Sequence, residues 1–190
     1  MPIENERKFV ILETDSVEKK FAEEAEKTIS IQQRYLVIDR GLSARVRSTK
    51  TRHEEKYYFT FKKDCGVPGE VIEIETVISL DDFNSLWLQG TNQVIKTRYI
   101  YEGWEVDFFK LGNHNYFAMA EIELPSGKKA PSIVPQLVLE NLLYVVPIED
   151  KRFSNKKISD VGYSISLLDS LKVKSGVINR EPRILKKKYY

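Results

Sequence analysis

Glu4, Glu6 and Lys8 recur at every second position in the opening run Ile3-Glu4-Asn5-Glu6-Arg7-Lys8. Successive side chains of an extended strand point to opposite faces, so these three share one face. A half-buried strand would carry Val or Ile there. Two acids and a base are tolerable only against bulk water or around a bound polyvalent ion. The same period-two arrangement returns along the chain. Arg45 shares a face with Arg47, Lys62 with Thr60 and Tyr58, Glu73 with Glu75, Lys96 with Arg98, Glu105 with Asp107, and Glu121 with Glu123.

A solvated outer face of an antiparallel sheet explains any one of these strands. Seven together fit it poorly, because the signs segregate. Four strands carry acid pairs and three carry bases, whereas solvated faces usually mix signs along each strand. A barrel with a charged inward face would collect both sets around one lumen. Carboxylates converging there raise one another's pKa unless a divalent cation screens them, and the neighbouring Arg and Lys residues demand an anion. Hard oxygen ligands suit Mg²⁺ or Mn²⁺, which bind through a few carboxylates plus substrate phosphates. The guest that fits is a polyphosphate with its metal.

The elements that must position these residues follow from periodicity and turn chemistry. Strands are predicted over residues 3–13, 29–39, 42–49, 56–63, 71–78, 93–101, 103–110 and 115–124. Arg40-Gly41 and Glu102-Gly103 supply turns, and residues 50–55 form a hairpin tip. Helices are predicted from the caps Thr14-Asp15-Ser16 to Lys27, over 80–89 between Ser79 and Gly90, from near Pro135 to Tyr144, and from Ser154 or Asn155 to about Leu171. About eight antiparallel strands with short inserted helices argue for a closed barrel or a sandwich.

The 190 residues suffice for one domain with a real core, assigned to 1–171, followed by a basic extension over 172–190. The formal net charge of +2 arises from near-cancelling acids and bases, so it is their arrangement that informs. The single cysteine, Cys65, excludes an internal disulfide and fits a reducing compartment. No charged-then-apolar leader precedes the first motif and no apolar run reaches roughly 18–20 residues. A cytoplasmic protein without membrane partners is therefore expected. His53 and His114 lie in polar turns and read as surface residues, and Cys65 lacks an adjacent His partner for nucleophilic work.

The ordered set Glu4-x-Glu6-x-Lys8, Arg45-x-Arg47, Lys62, Glu73-x-Glu75, Lys96-x-Arg98, Glu105-x-Asp107, Glu121-x-Glu123 and Asp150-Lys151-Arg152-Phe153-Ser154-Asn155 resembles the CYTH, or triphosphate tunnel metalloenzyme, family. The resemblance runs in order from residue 3 to about 160. It implies an α+β fold: an eight-stranded antiparallel β-barrel tunnel, helices packed outside, that binds triphosphate-bearing substrates and Mg²⁺ or Mn²⁺. By position it implies Glu4, Glu6, Asp107, Glu121 and Glu123 as metal ligands. It implies Lys8, Arg45, Arg47, Lys62, Lys96 and Arg98 as phosphate grips, with Lys151 from the segment that closes one tunnel end. Gln33 and Tyr35 match the family's Q-x-Y on the second strand and line the wall. Catalysis would rest on Glu4, Glu6 and Lys8, with Glu73 and Glu75 serving a second metal, water positioning or salt-bridging. Where members of the family often carry an arginine ahead of that last pair, this chain has Val71 and Ile72.

The activity expected from the resemblance is hydrolysis of inorganic triphosphate to diphosphate and phosphate, since no base or thiamine pocket is needed. A nucleoside- or RNA 5′-triphosphatase is the alternative, the basic tail guiding a longer anion. A class IV adenylate cyclase follows, although its His-Phe signature is absent. Thiamine triphosphatase is disfavoured because neither Trp87 nor Trp104 lies near Arg45-x-Arg47. The non-enzymatic alternative is a polyphosphate or nucleotide sensor that binds its ligand intact.

Overall fold

Period-two alternation becomes strand throughout. In order the elements are β1 (Ile3–Ile11), α1 (Asp15–Glu24), β2 (Lys27–Leu36), β3 (Leu42–Lys50), β4 (Glu55–Asp64), β5 (Glu70–Ile78), α2 (Leu80–Gln89), β6 (Thr91–Tyr101), β7 (Trp104–Leu111) and β8 (His114–Glu123). There follow α3 (Gln136–Glu140), β9 (Leu142–Val145), a 3₁₀ turn (Lys151–Phe153), α4 (Asn155–Ile158) and α5 (Val161–Lys174). The computed structural model describes residues 3–36, 42–64, 66–67 and 70–176, and the backbone alone of residues 3 and 4. The expected Arg40-Gly41 turn, Cys65 and the tail beyond residue 176 lie outside the described residues.

The strands form one antiparallel sheet in the order β5-β4-β3-β2-β6-β7-β8-β1, and pairing of β1 with β5 closes it into an eight-stranded barrel. Closure rests on Ile3 opposite Ile72, Glu4 opposite Val71 and Asn5 opposite Glu70. The helices pack on the barrel, so the expected α+β architecture stands. Glu102 and Gly103 both adopt positive φ, 49° and 76°. That two-residue turn matches the twist of the β6–β7 hairpin.

Two expectations at the C-terminal end are corrected. The helix predicted to reach Tyr144 stops at Glu140, and Leu142–Val145 becomes β9, pairing with β1 at Val10 opposite Tyr144. The last predicted helix is broken at Ser159–Asp160. Ser154 caps α4, and the Asp160 carboxylate accepts from Tyr163 N at 2.9 Å to start α5 anew.

Helices cover the outside. On α1, Val17 and Phe21 are buried against Tyr101 and Phe108. On α2, Phe83 meets Tyr57, and the Arg34 guanidinium lies 4.6 Å over the Trp87 ring. Gly90 ends α2 where any Cβ would lie 2.7 Å from Cβ of Arg34, so only glycine fits without displacement. Among the described residues no helix is long and apolar enough to cross a membrane.

The inward faces change character along the barrel axis. On β1 the sequence Glu6, Lys8 gives way to Val10, on β8 Glu123 and Glu121 to Met119 and Phe117, on β7 Glu105 and Asp107 to Phe109, and on β6 Arg98 and Lys96 to Val94. These apolar ends pack with Phe153, Ile158, Leu167, Leu168 and Leu171 in one buried cluster. The C-terminal helices thus plug one end of the barrel, and the charged residues line what remains.

Candidate active site: a charged lumen

Register brings the charged strands together. Glu6 stands opposite Glu123, Lys8 opposite Glu121, Arg98 opposite Asp107, Arg45 opposite Thr60 and Lys62 opposite Glu73. A slip of one residue on any strand would turn its charges to the exterior. The resulting lumen holds two connected chambers. One, of about 630 Å³, is lined chiefly by charge: Glu6, Arg45, Arg47, Lys62, Glu73, Glu75, Arg98, Glu105, Glu121 and Glu123. The other, of about 850 Å³, shares Glu6, Arg45, Lys62 and Asn155 with it and extends past Lys8 and Tyr35 to Lys151.

At the seam of β1 and β8, Lys8 Nζ donates to Glu6 Oε2 at 2.5 Å and to Glu121 Oε1. Burial alone would lower the amine's pKa, but Glu121 and Glu6 outweigh it and hold Lys8 above the ordinary lysine range. An ammonium therefore occupies the place between two carboxylates, with Glu123 across from Glu6. Glu4 stands on β1 opposite Val71, and its side chain lies outside the described residues.

On the next wall, Asp107 is fully buried and accepts two parallel bonds from Arg98, Nε to Oδ1 and Nη2 to Oδ2, both at 2.7 Å. Lys96 Nζ also donates to Oδ2. Burial would push this carboxyl up, but Arg98 and Lys96 hold it well below the usual carboxylate range. Arg98 further pairs with Glu105 and reaches Glu121 Oε2 at 3.4 Å. Lys96, buried and next to Arg98, is pulled down to about 8, and its Nζ donates to Asn155 Oδ1 at 3.2 Å. Asp107, implied by the resemblance as a metal ligand, here anchors two cations.

The third wall comes from β3, β4 and β5. Lys62 Nζ lies 2.7 Å from Glu73 Oε2, and Arg45 Nη2 lies 3.4 Å from Glu73 Oε1. Arg47 Nη2 donates to Glu75 Oε2 at 2.5 Å, and Thr60 Oγ1 donates to the same oxygen at 2.7 Å. Arg47 Nε is buried without a hydrogen-bond partner, leaving a donor for an incoming anion. Gln33 is fully buried and donates from Nε2 to the Tyr35 hydroxyl at 2.9 Å, while its Oε1 has no partner.

Lys151 stands apart. Its side chain is 80% exposed and pairs with Asp64 at 3.3 Å on the rim. Three lumen residues received no role from the sequence. Glu105 and Thr60 share faces with Asp107 and Lys62, so periodicity pointed to them. Asn155 closed the Asp150–Asn155 motif and was an alternative cap, and its reach to Lys96 depends on how the plug docks.

Six of the wall's acids, Glu6, Glu73, Glu75, Glu105, Asp107 and Glu121, pair with bases of the lumen. Seven carboxylates (Glu6, Glu73, Glu75, Glu105, Asp107, Glu121, Glu123) stand with six bases (Lys8, Arg45, Arg47, Lys62, Lys96, Arg98). Among the described residues no three acids, histidines or cysteines stand together as a ready-made cation cage.

No family model and no curated protein matches this sequence. Solved structures do. A Pyrococcus horikoshii protein aligns at TM-score 0.47 and 19% identity over 66% of this chain and 80% of its own. A conserved hypothetical protein from Pyrococcus furiosus gives 0.46 and 22% over 72% and 86%. A Vibrio parahaemolyticus protein provisionally described as an adenylate cyclase gives 0.43 and 14% over 66% and 78%. At these values the likeness is partial, and the barrel is defined by this chain's own strand pairing.

Proposed function

We propose that the lumen binds the phosphate chain of a triphosphate-bearing substrate together with Mg²⁺ or Mn²⁺ and hydrolyses a phosphoanhydride bond. Inorganic triphosphate is the minimal substrate, because Arg45, Arg47, Lys62 and Arg98 line the charged chamber together with Glu6, Glu121 and Glu123. One observation carries this reading: acids and bases from seven strands face one lumen and nearly neutralise each other. Such a lumen accepts a polyanion favourably only if a cation accompanies it, so that acids and bases released from their pairs are matched again. The ordered resemblance to triphosphate tunnel metalloenzymes points the same way.

The residues fit a hard divalent ion. Glu6 and Glu121 already flank a positive charge, the Lys8 ammonium, and Glu123 stands opposite Glu6 across the β1–β8 pair. Glu6, Glu121 and Glu123, with Glu4 on the same strand face, would hold the metal. When bound, it would neutralise charge that builds on the phosphate oxygens. The protein's own work is positioning and fixed electrostatics. Arg45, Arg47 and Lys62 on one wall and Lys96 and Arg98 on the other grip the phosphates, and Lys8 turns from its carboxylates to join them. Once Arg47 and Lys62 engage phosphate, Glu75, still held by the Thr60 hydroxyl, and Glu73 are relieved of those cations and become acceptors for the proton of an in-line water. That water's oxygen bonds to the terminal phosphorus as the bridging P–O bond breaks, and diphosphate leaves.

The test is Glu6→Gln. Its side chain is partly exposed, so folding should survive, and Mg²⁺-dependent phosphate release should fall about 10²–10³-fold, the usual effect of deleting one such charge. Undiminished release in a variant with a native melting curve would overturn the assignment.

A further inference from the structure

The C-terminal segment reaches the charged chamber at one point. Among the described residues that line this chamber, Asn155 alone follows β8 in the chain, and it alone has a neutral side chain. Its place is fixed from both sides. Phe153 before it and Ile158 after it have no exposed surface and belong to the plug. The Ser154 hydroxyl caps α4 by accepting from Lys157 N, and Asn155 O accepts from Ser159 N at 3.0 Å. One bond then orients the amide. Lys96 Nζ donates to Asn155 Oδ1 at 3.2 Å. An ammonium has donors alone, so it must face the oxygen of an amide and not the nitrogen. Nδ2 is thereby turned away from Lys96, and among the described residues it has no hydrogen-bond partner. The residue lines both chambers, so this donor stands where they meet.

We infer that Asn155 is a substrate-binding residue: its Nδ2 donates to an oxygen of the phosphate chain and makes docking of the C-terminal plug and occupation of the lumen depend on each other. The inference rests on the triphosphate reading above and adds a contact supplied by the plug and not by a strand. A neutral donor binds an anionic oxygen without changing the charge count of the lumen. A guest held at once by the strands and by Asn155 stabilises the seated plug, and the seated plug favours the guest by the same factor.

The experiment titrates the full chain in Mg²⁺ with bis-methylene triphosphate, whose carbon bridges resist hydrolysis, by calorimetry. Amide hydrogen exchange over residues 155–171 is followed with and without this analogue. Asn155→Ala should weaken binding about tenfold, the scale of a lost hydrogen bond to a charged acceptor. Asn155→Asp keeps the shape and the acceptor for Lys96 but removes the donor, and it should weaken binding at least as much. The analogue should slow exchange of the segment in the native chain and not in Asn155→Ala, while exchange of the free variant stays native. Native affinity in Asn155→Ala overturns the inference. Native affinity in Asn155→Asp, or faster exchange in free Asn155→Ala, also overturns it, because the amide is then a structural brace for Lys96. All of these outcomes leave the triphosphate reading standing. A native chain that neither binds the analogue nor releases phosphate from inorganic triphosphate removes both.

Discussion

Lys8 is the residue on which the site turns. Its ammonium bridges Glu6 and Glu121, two acids that sit on different strands and are 115 positions apart in the chain. A lysine so placed competes with any metal for those oxygens, so the free protein should bind Mn²⁺ weakly. Replacing it by glutamine removes the competitor. The Lys8→Gln variant should bind Mn²⁺ about tenfold more tightly without substrate, by calorimetry or electron paramagnetic resonance, while its affinity for triphosphate falls. Mn²⁺ binding no tighter than in the native protein would show that Glu6 and Glu121 are not a cation site. The residue types and their faces were legible in the sequence because side-chain period is fixed at two in a strand. Which acid meets which base was not. Asp107 was expected as a ligand only through the family resemblance, and its bidentate capture by Arg98 follows from cross-strand register, which no local pattern states.

Among the elements, the strands and the first two helices follow the sequence closely, because alternation, the Thr14 and Ser79 caps and the Glu102-Gly103 turn are local signals. The C-terminal end departs from it for a physical reason. Leu142–Val145 is a short apolar run with no period of its own, and it becomes strand by pairing with β1, an element at the other end of the chain. Asp160 interrupts the last helix because its carboxylate makes a better start for α5 than a mid-helix residue. These pieces together plug the barrel. Phe153, with no exposed surface, packs 5.6 Å from Tyr144 and 6.4 Å from Phe117. Phe153→Ala should lower unfolding free energy by about 3–5 kcal/mol in urea titrations, the range for deleting a buried aromatic. A loss below about 1 kcal/mol would mean that the plug is loosely seated and the lumen open at both ends.

At the scale of the molecule, seven of the eight barrel strands turn charge into the lumen, and β1, β6, β7 and β8 turn the other part of their inward faces to apolar packing at the plugged end. The outside, under α1 and α3, supplies a second apolar cluster with Phe9, Phe21, Trp104 and Val106. Burial of so many ionised groups does not make a stable core by itself, since desolvation offsets much of the pairing. The arrangement is understandable as a receptacle for a guest that carries both signs. Phosphate release from inorganic triphosphate by the purified chain, assayed in Mg²⁺, in Mn²⁺ and in excess chelator, tests that claim most directly. The account predicts one equivalent of phosphate and one of diphosphate per triphosphate with either metal, and none with chelator. Triphosphate bound in the presence of metal yet recovered intact, or release unaffected by chelator, would contradict it.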